Sequence, residues 1–277
     1  MTYASRGSRS TGAEPVAFRL ASLNAHCGRD ALGAFYSMPS VLEALAAEVI
    51  LVQENWRPRG GDSAALQAAV TCGYPHITEL DVLADTSLYD LGVVTDRRAD
   101  EPGAWGLAVL SRIPLVVQEP VWLGVAPRDM GQRAAQVIDL VVDERVTARL
   151  VNVHLTHRLI HGPRQLRRLV RVLRDDGLPT VIAGDLNMCR PTVYLARPYR
   201  PLVRGRTWPT KRPVAQLDHV LGGTEVCAKD STVVPVRGSD HLPVRVTIEV
   251  GSRPAGGHHG SRSIWGGTTI SNNGSFG

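Results

Sequence analysis

Short apolar runs recur along this chain, and most of them end on a polar residue able to do chemistry. FRLASLN (18–24) ends on Asn24, VILVQE (49–54) on Glu54, and TVIAGDLN (180–187) on Asp185 and Asn187. RLVNVHLTH (149–157) carries His154 near its end, and AQLDHVL (215–221) embeds Asp218. The last pair, VVPV (233–236) and LPVRVTIEV (242–250), brackets Gly238-Ser239-Asp240-His241. Apolar runs of this length with few charges suit strands buried between other layers. Polar groups at the ends of such strands line a rim held by a stiff scaffold. One such placement is chance; the whole set predicts convergence on one pocket.

Neighbours in a regular strand point to opposite faces, so Asp240 and His241 can share a site only if the backbone kinks there. Gly238 permits the kink, although Gly, Ser and Asp are also ordinary turn residues. PSVLEALAAE (39–48) and DSAALQAAV (62–70) are predicted as helices. In HGPRQLRRLVRVLRDDG (161–177), Leu166, Leu169, Val170 and Leu173 recur at helical spacing, and Pro163 suits a first turn. Its arginines cover the other faces as solvated helix surface. GLAVLS (106–111), VVQEPVWLGV (116–125) and RAAQVIDLVV (133–142) are predicted as strands, and 79–105 as a long loop or short hairpin. Strands interspersed with helices imply an α/β or α+β layered domain.

The 277 residues allow one large domain or two small ones, and 43% hydrophobic content is ample for a core. No run of 18 apolar residues exists, which excludes a helical membrane span. The first 15 residues carry arginines without an apolar segment and are expected to form a flexible arm rather than a secretory signal. Residues 251–277, rich in Gly, Ser and Asn, are expected to be a disordered tail, leaving 16–250 as the folded domain. None of the four cysteines forms C-x-x-C. Free thiols then point to an intracellular, cytoplasmic protein, expected to be monomeric. His154, His157 and His161 do not read as a zinc site, because a strand-to-helix transition scatters them.

Charge changes the picture in one place. The net charge of +5 is concentrated in RPTVYLARPYRPLVRGRTWPTKRP (190–213), which holds seven Arg or Lys and no acid, while the rest of the folded chain is net negative. The loop lies between GDLN and LDH and carries Tyr194, Tyr199 and Trp208. Arginine pairs with phosphate and rings stack on bases. Arg200, Arg204, Arg206 and Trp208 are therefore candidate contacts to nucleic acid, against the plainer reading of a solvated loop.

The motifs LNAH, VQE, GLAVLSR, NVHL, GDLN, TWP…LDHVL and SDHLPV follow one another in this order between residues 18 and 248. In this the chain resembles the endonuclease/exonuclease/phosphatase superfamily, with the DNase I-like fold. The resemblance implies a four-layer α/β sandwich of two face-to-face, mainly antiparallel sheets flanked by helices. It also implies phosphoester cleavage with Mg²⁺ or Mn²⁺ at one edge of the sandwich. A hard cation on carboxylates offsets the charge of a phosphodiester. By this likeness Glu54 is the principal metal ligand, supported by Asn24, with Asp240 as second contributor. Asp185 orients or deprotonates the attacking water and Asn187 holds a phosphoryl oxygen. His241 is paired with Asp218 rather than with its neighbour. His154 resembles a second imidazole that other members use as a general acid, oriented by an acid with no evident counterpart here. Arg133 matches an arginine that contacts phosphate. The expected activity is a metal-dependent nuclease. The alternatives are a phosphatase or phospholipase C-like hydrolase of sphingomyelin or inositol phosphate, and a scaffold that binds polyanions without catalysis.

Overall fold

Two sheets stack face to face in a computed structural model that describes residues 15–173 and 177–251. The expected arm and tail lie outside the described residues, apart from Pro15 and Gly251 at their inner ends. The chain runs β1 (Val16–Asn24), α1 (Met38–Leu45), β2 (Val49–Pro58), α2 (Ala64–Thr71), β3 (His76–Ser87), β4 (Pro102–Ser111) and β5 (Leu115–Val117). It continues through β6 (Val121–Gly124), β7 (Arg133–Val142), β8 (Arg145–His154), α3 (His161–Val172), β9 (Thr180–Asp185) and α4 (Arg190–Val193). It closes with β10 (Arg200–Pro201), β11 (Asp218–Gly222), β12 (Val226–Val233) and β13 (Val244–Val250). The first sheet has the order β12-β13-β1-β2-β4-β3, and the second β10-β11-β9-β8-β7-β5 with β6 also on β7. Pairing is antiparallel except β1 with β2 and β8 with β9.

Three apolar layers follow from this stacking. Leu20, Leu51 and Val246 of the first sheet meet Ile138, Leu150 and Val181 of the second in the central core. The outer face of the first sheet packs on α1 and α2 through Leu42, Leu45 and Ala68. The outer face of the second packs on α3 through Leu166, Leu169 and Val170. Strands covered on both faces must be apolar throughout, which explains why their sequence runs barely alternate. Both first-sheet helices are capped as their sequences suggest, Ser37 accepting from the Ser40 N–H and Ser63 from the Leu66 N–H. Among the described residues no helix is long and apolar enough to cross a membrane.

The central layer is not wholly apolar. Gln53 on β2 donates to Asn152 Oδ1 on β8 at 2.7 Å, and Ser22 on β1 donates to Gln53 Oε1 at 3.3 Å. Asn152 Nδ2 donates to the carbonyls of Val52 and Ala108, both at 3.0 Å, in the opposite sheet. Gln136 on β7 accepts from Asn152 and donates to the Thr78 carbonyl on β3. These fully buried amides satisfy one another and pin sheet to sheet just beneath the polar strand ends.

Three segments differ from the sequence expectation, while 79–105 is the hairpin that it allowed: β3 pairs antiparallel with β4 from Leu83 opposite Trp105 to Ser87 opposite Pro102, with register shifts at Asp81/Leu83 and Leu83/Thr86. The run 116–125 is two strands, β5 and β6, pairing with different stretches of β7. VVPV is not a strand beyond Val233; the partner of β13 is the polar β12, whose exposed, charged edge carries no apolar signal. Helix α3 ends at Val172, with residues 174–176 outside the described set.

Candidate active site

Glu54 sits on a β-bulge. The β2–β4 register shifts between Gln53 and Asn55, and Glu54 takes φ +52°, a left-handed conformation uncommon for a side chain of its size. The bulge lies opposite Gly106 on β4, which pairs with Asn55 on β2 on one side and with Asp81 on β3 on the other. A Cβ on Gly106 would overlap the Leu80 carbonyl. The bulge turns the carboxylate out of the ladder to the sheet edge, where Asn24 at the end of β1 reaches it. Asn24 Nδ2 donates to Glu54 Oε1 and to Asp185 Oδ2, each at 3.1 Å.

Asp185 ends β9, beside His154 at the end of β8. The preceding Gly184 (φ +150°) lies so close to the Val153 carbonyl that no side chain fits. Asp185 is buried, and its Oδ1 accepts the Asn187 N–H at 2.8 Å. Asn187 has φ +52° and directs its amide nitrogen to His154 Nε2 and the Leu155 carbonyl, both at 3.0 Å. Asn187 therefore fixes His154 and Asp185, and its N–H groups are already engaged rather than free for a phosphoryl oxygen. His154 Nε2 lies 3.5 Å from Asp185 and 3.9 Å from Glu54. Burial first, then Arg133 and His241, push its pKa well below the usual histidine range, so the ring is neutral. Its Nδ1 is buried without a hydrogen-bond partner, so no acid orients it from that side.

His241 Nδ1 meets Asp218 Oδ2 at 2.8 Å, and Nε2 lies 3.8 Å from Asp185. The kink at Ser239, whose hydroxyl accepts the His241 N–H, separates the two neighbours. His241 turns into the protein, while Asp240 meets Trp208 Nε1 at 3.4 Å and His26 Nδ1 at 3.9 Å. Burial depresses the His241 pKa, but Asp218 and Asp185 outweigh it and raise the pKa to about 11. The ring is an imidazolium. Burial raises Asp185 to about 7; His241 opposes this rise and Asp218 adds to it.

Glu54, His154, Asp185, Asn187 and His241 line a cavity of about 450 Å³. Arg133, at the start of β7, is half-buried in its wall, with its guanidinium 4.9 Å from the Trp105 ring centroid. Its Nε is 3.8 Å from Asp129, and among the described residues its Nη1 has no hydrogen-bond partner. The sequence reading passed over Trp105 and Asp129, and weighed His157 only as a zinc ligand. Trp105 stacks within 5.3 Å of His154, and Asp129 anchors the 128–133 loop through Thr156 and Arg133. Trp105 follows a stretch with no readable period, and nothing in 126–132 signals a pocket wall. His219, also missed, holds the carbonyls of Met188 and Gln216 and so clamps the loop after Asp185.

The basic loop does not converge here. Arg200 donates to the Val226 carbonyl and pairs at Gly222, the opposite end of β11 from Asp218. Arg204 and Arg206 are exposed and absent from the cavity wall. Tyr199 is buried in the core beside α3. Only Trp208, 6.5 Å from His241, reaches the mouth.

The donor set suits a hard divalent cation, with carboxylate oxygens of Glu54 and Asp185 facing one space. Asp240 is placed by its contacts to Trp208 Nε1 and His26 Nδ1 and stands outside the cavity lining. Asn24 contributes differently from expectation. Its Oδ1 accepts the His26 N–H at 3.0 Å, so its nitrogen, not its oxygen, faces the acids. Asp185, Asp218 and His241 also cluster at ligand spacing. An imidazole that keeps both protons cannot ligate, so this cluster is a cation between two acids.

A profile of the Endonuclease/Exonuclease/phosphatase family matches residues 21–241. No curated protein matches the chain. Among solved structures, an endonuclease/exonuclease/phosphatase from Beutenbergia cavernae DSM 12333 is 21% identical, with a TM-score of 0.66 over 85% of this chain and 72% of that one. The human Nocturnin catalytic domain with bound sulfate is 14% identical (TM-score 0.59, covering 84% of this chain and 94% of that one). Danio rerio TDP2 with a single-strand DNA product is also 14% identical (TM-score 0.58, 84% and 98%). Likeness at these identities shows the fold.

Proposed function

Because the chain belongs to the endonuclease/exonuclease/phosphatase family, we propose that it is a divalent-metal-dependent hydrolase of phosphoesters. One observation carries this reading: a single cavity gathers the carboxylates Glu54 and Asp185 opposite the buried His241 and the half-buried Arg133. Glu54 and Asp185 would hold the cation, which when bound supplies charge neutralisation at the phosphoryl oxygens. Asp185 lines the cavity and takes the proton of the attacking water. The His241 imidazolium, held by Asp218, and the unpaired Arg133 Nη1 offer N–H groups where negative charge develops. Neutral His154 is held by Asn187 beside Asp185.

The substrate class is argued from the walls. Leu83, Leu91, Val93, Trp105 and Met130 make them largely apolar, which supports an ester with an apolar or flat leaving group. The bound DNA and sulfate of two structural neighbours fit the same chemistry. A nucleic-acid end is favoured by Trp208 alone, a half-open ring at the mouth.

The test is turnover of bis(p-nitrophenyl) phosphate and p-nitrophenyl phosphate with Mg²⁺ or Mn²⁺. Asp185→Asn and Glu54→Gln should each lower it by at least about 10²-fold, the scale of a lost base or charge-stabilising group. A wild-type rate in Asp185→Asn would remove it as the base. Single-stranded oligonucleotides, inositol phosphates and phospholipids then sort the substrate.

A further inference from the structure

Two loops beside the cavity mouth carry large aliphatic side chains in water. Val125 is 60% exposed, Met130 53%, Leu159 92% and Ile160 63%. Side chains of this size scattered singly need no explanation, but these come from two segments laced together. Arg158 Nη2 donates to the Arg128 carbonyl at 3.0 Å, and Thr156 Oγ1 to Asp129 at 2.9 Å. Gln165 Nε2 donates to the Gly124 carbonyl at 3.3 Å, which brings the start of α3 against the residue before Val125. Met130 is at once exposed and part of the cavity wall, so the apolar surface begins at the mouth.

A basic face continues it. Arg164 and Arg168 follow Ile160 at one and two helical turns, and Arg171 lies three residues further on the same side. Arg164, Arg167, Arg168 and Arg171 are all exposed, and no acid stands among residues 155–173. Arg168 Nη1 reaches to within 3.7 Å of the Cβ position of Gly124, so the cations border the aliphatic patch directly.

We propose that this surface docks the protein on an anionic lipid bilayer, with the cavity mouth turned to the headgroups. Aliphatic tips flanked by arginines match the two layers of such a membrane, the acyl boundary and the anionic headgroups. A nucleic acid fits less well: Leu, Ile, Val and Met offer no ring for a base to stack on. The anchoring is by surface insertion and needs no membrane-spanning helix.

The experiment is flotation of the full chain with vesicles of phosphatidylcholine, with and without phosphatidylserine. Binding is read without turnover, so the outcome stands apart from the reaction proposed above. Wild type should partition to the phosphatidylserine vesicles and be released by salt. Leu159→Ser/Ile160→Ser should lower the partition coefficient by at least about tenfold. Arg164→Gln/Arg168→Gln should lower it by roughly fivefold for each arginine removed. Both variants should turn over the soluble aryl ester at the wild-type rate, which shows that they fold. Absence of wild-type partitioning overturns the proposal. So does partitioning that both variants leave unchanged, or binding of a single-stranded oligonucleotide in place of vesicles.

Discussion

Asp218 sets the state of His241, and the consequence can be read in both rate and stability. The folded imidazole binds its proton up to about pH 11, whereas the unfolded ring releases it near the ordinary histidine value of 6.5. Between those values the native state holds the extra proton, so stability from this pair is full below pH 6.5 and is lost as pH rises toward 11. Asp185, raised to about 7 from 3.8, adds loss of the same sign at lower pH. In EDTA the melting temperature of the wild type should therefore fall from neutral to alkaline pH. In Asp218→Asn that alkaline fall should flatten, and turnover at neutral pH should drop by about 10²-fold or more. A parallel pH profile in the variant would detach Asp218 from His241. The sequence placed Glu54, His154, Asp185, Asp218 and His241 at strand ends, and strand ends do meet. It could not show that Asn24 and Asn187 present their nitrogens, because amide orientation is decided by partners distant in sequence.

At the scale of elements, the aim of Glu54 depends on a bulge opposite Gly106, a residue that itself lies tight against the next strand, β3. Gly106→Ala would push a methyl group into the Leu80 carbonyl and force backbone to move. The expected result is a loss of about 1–3 kcal/mol in stability together with a higher Mg²⁺ requirement for turnover. Unchanged melting temperature and metal dependence would show that the bulge stands without it. The elements read correctly from sequence are those buried on both faces, where apolarity is continuous. Those misread are β12 and the β5–β6 pair, where bulges, charge and short length erase the period. The 190–213 loop misled for a different reason. Composition reports which residues a loop holds, not that α4, buried Tyr199 and β10 carry its middle away from Asp218.

For the whole molecule, the reactive groups come from both halves of the sandwich. Asn24, Glu54 and His241 belong to the first sheet or its loops, and Arg133, His154, Asp185 and Asp218 to the second. The Gln53–Asn152 contact is one of the buried polar bonds beneath them that cross the gap. Asn152→Leu keeps the branched shape but removes a hydrogen-bond partner from Gln53, from Gln136 and from the Val52 and Ala108 carbonyls, at about 1–3 kcal/mol for each buried group left unsatisfied. Its effect on turnover should exceed that of an equally destabilising change in α1, because only the former lets one half slip against the other. A reaction centre divided in this way has no cooperative unit of its own. Amide protons flanking it in β2, β8 and β9 should exchange only through global opening. Catalysis and tertiary fluorescence should then vanish at one denaturant concentration, with no folded but inactive species between them.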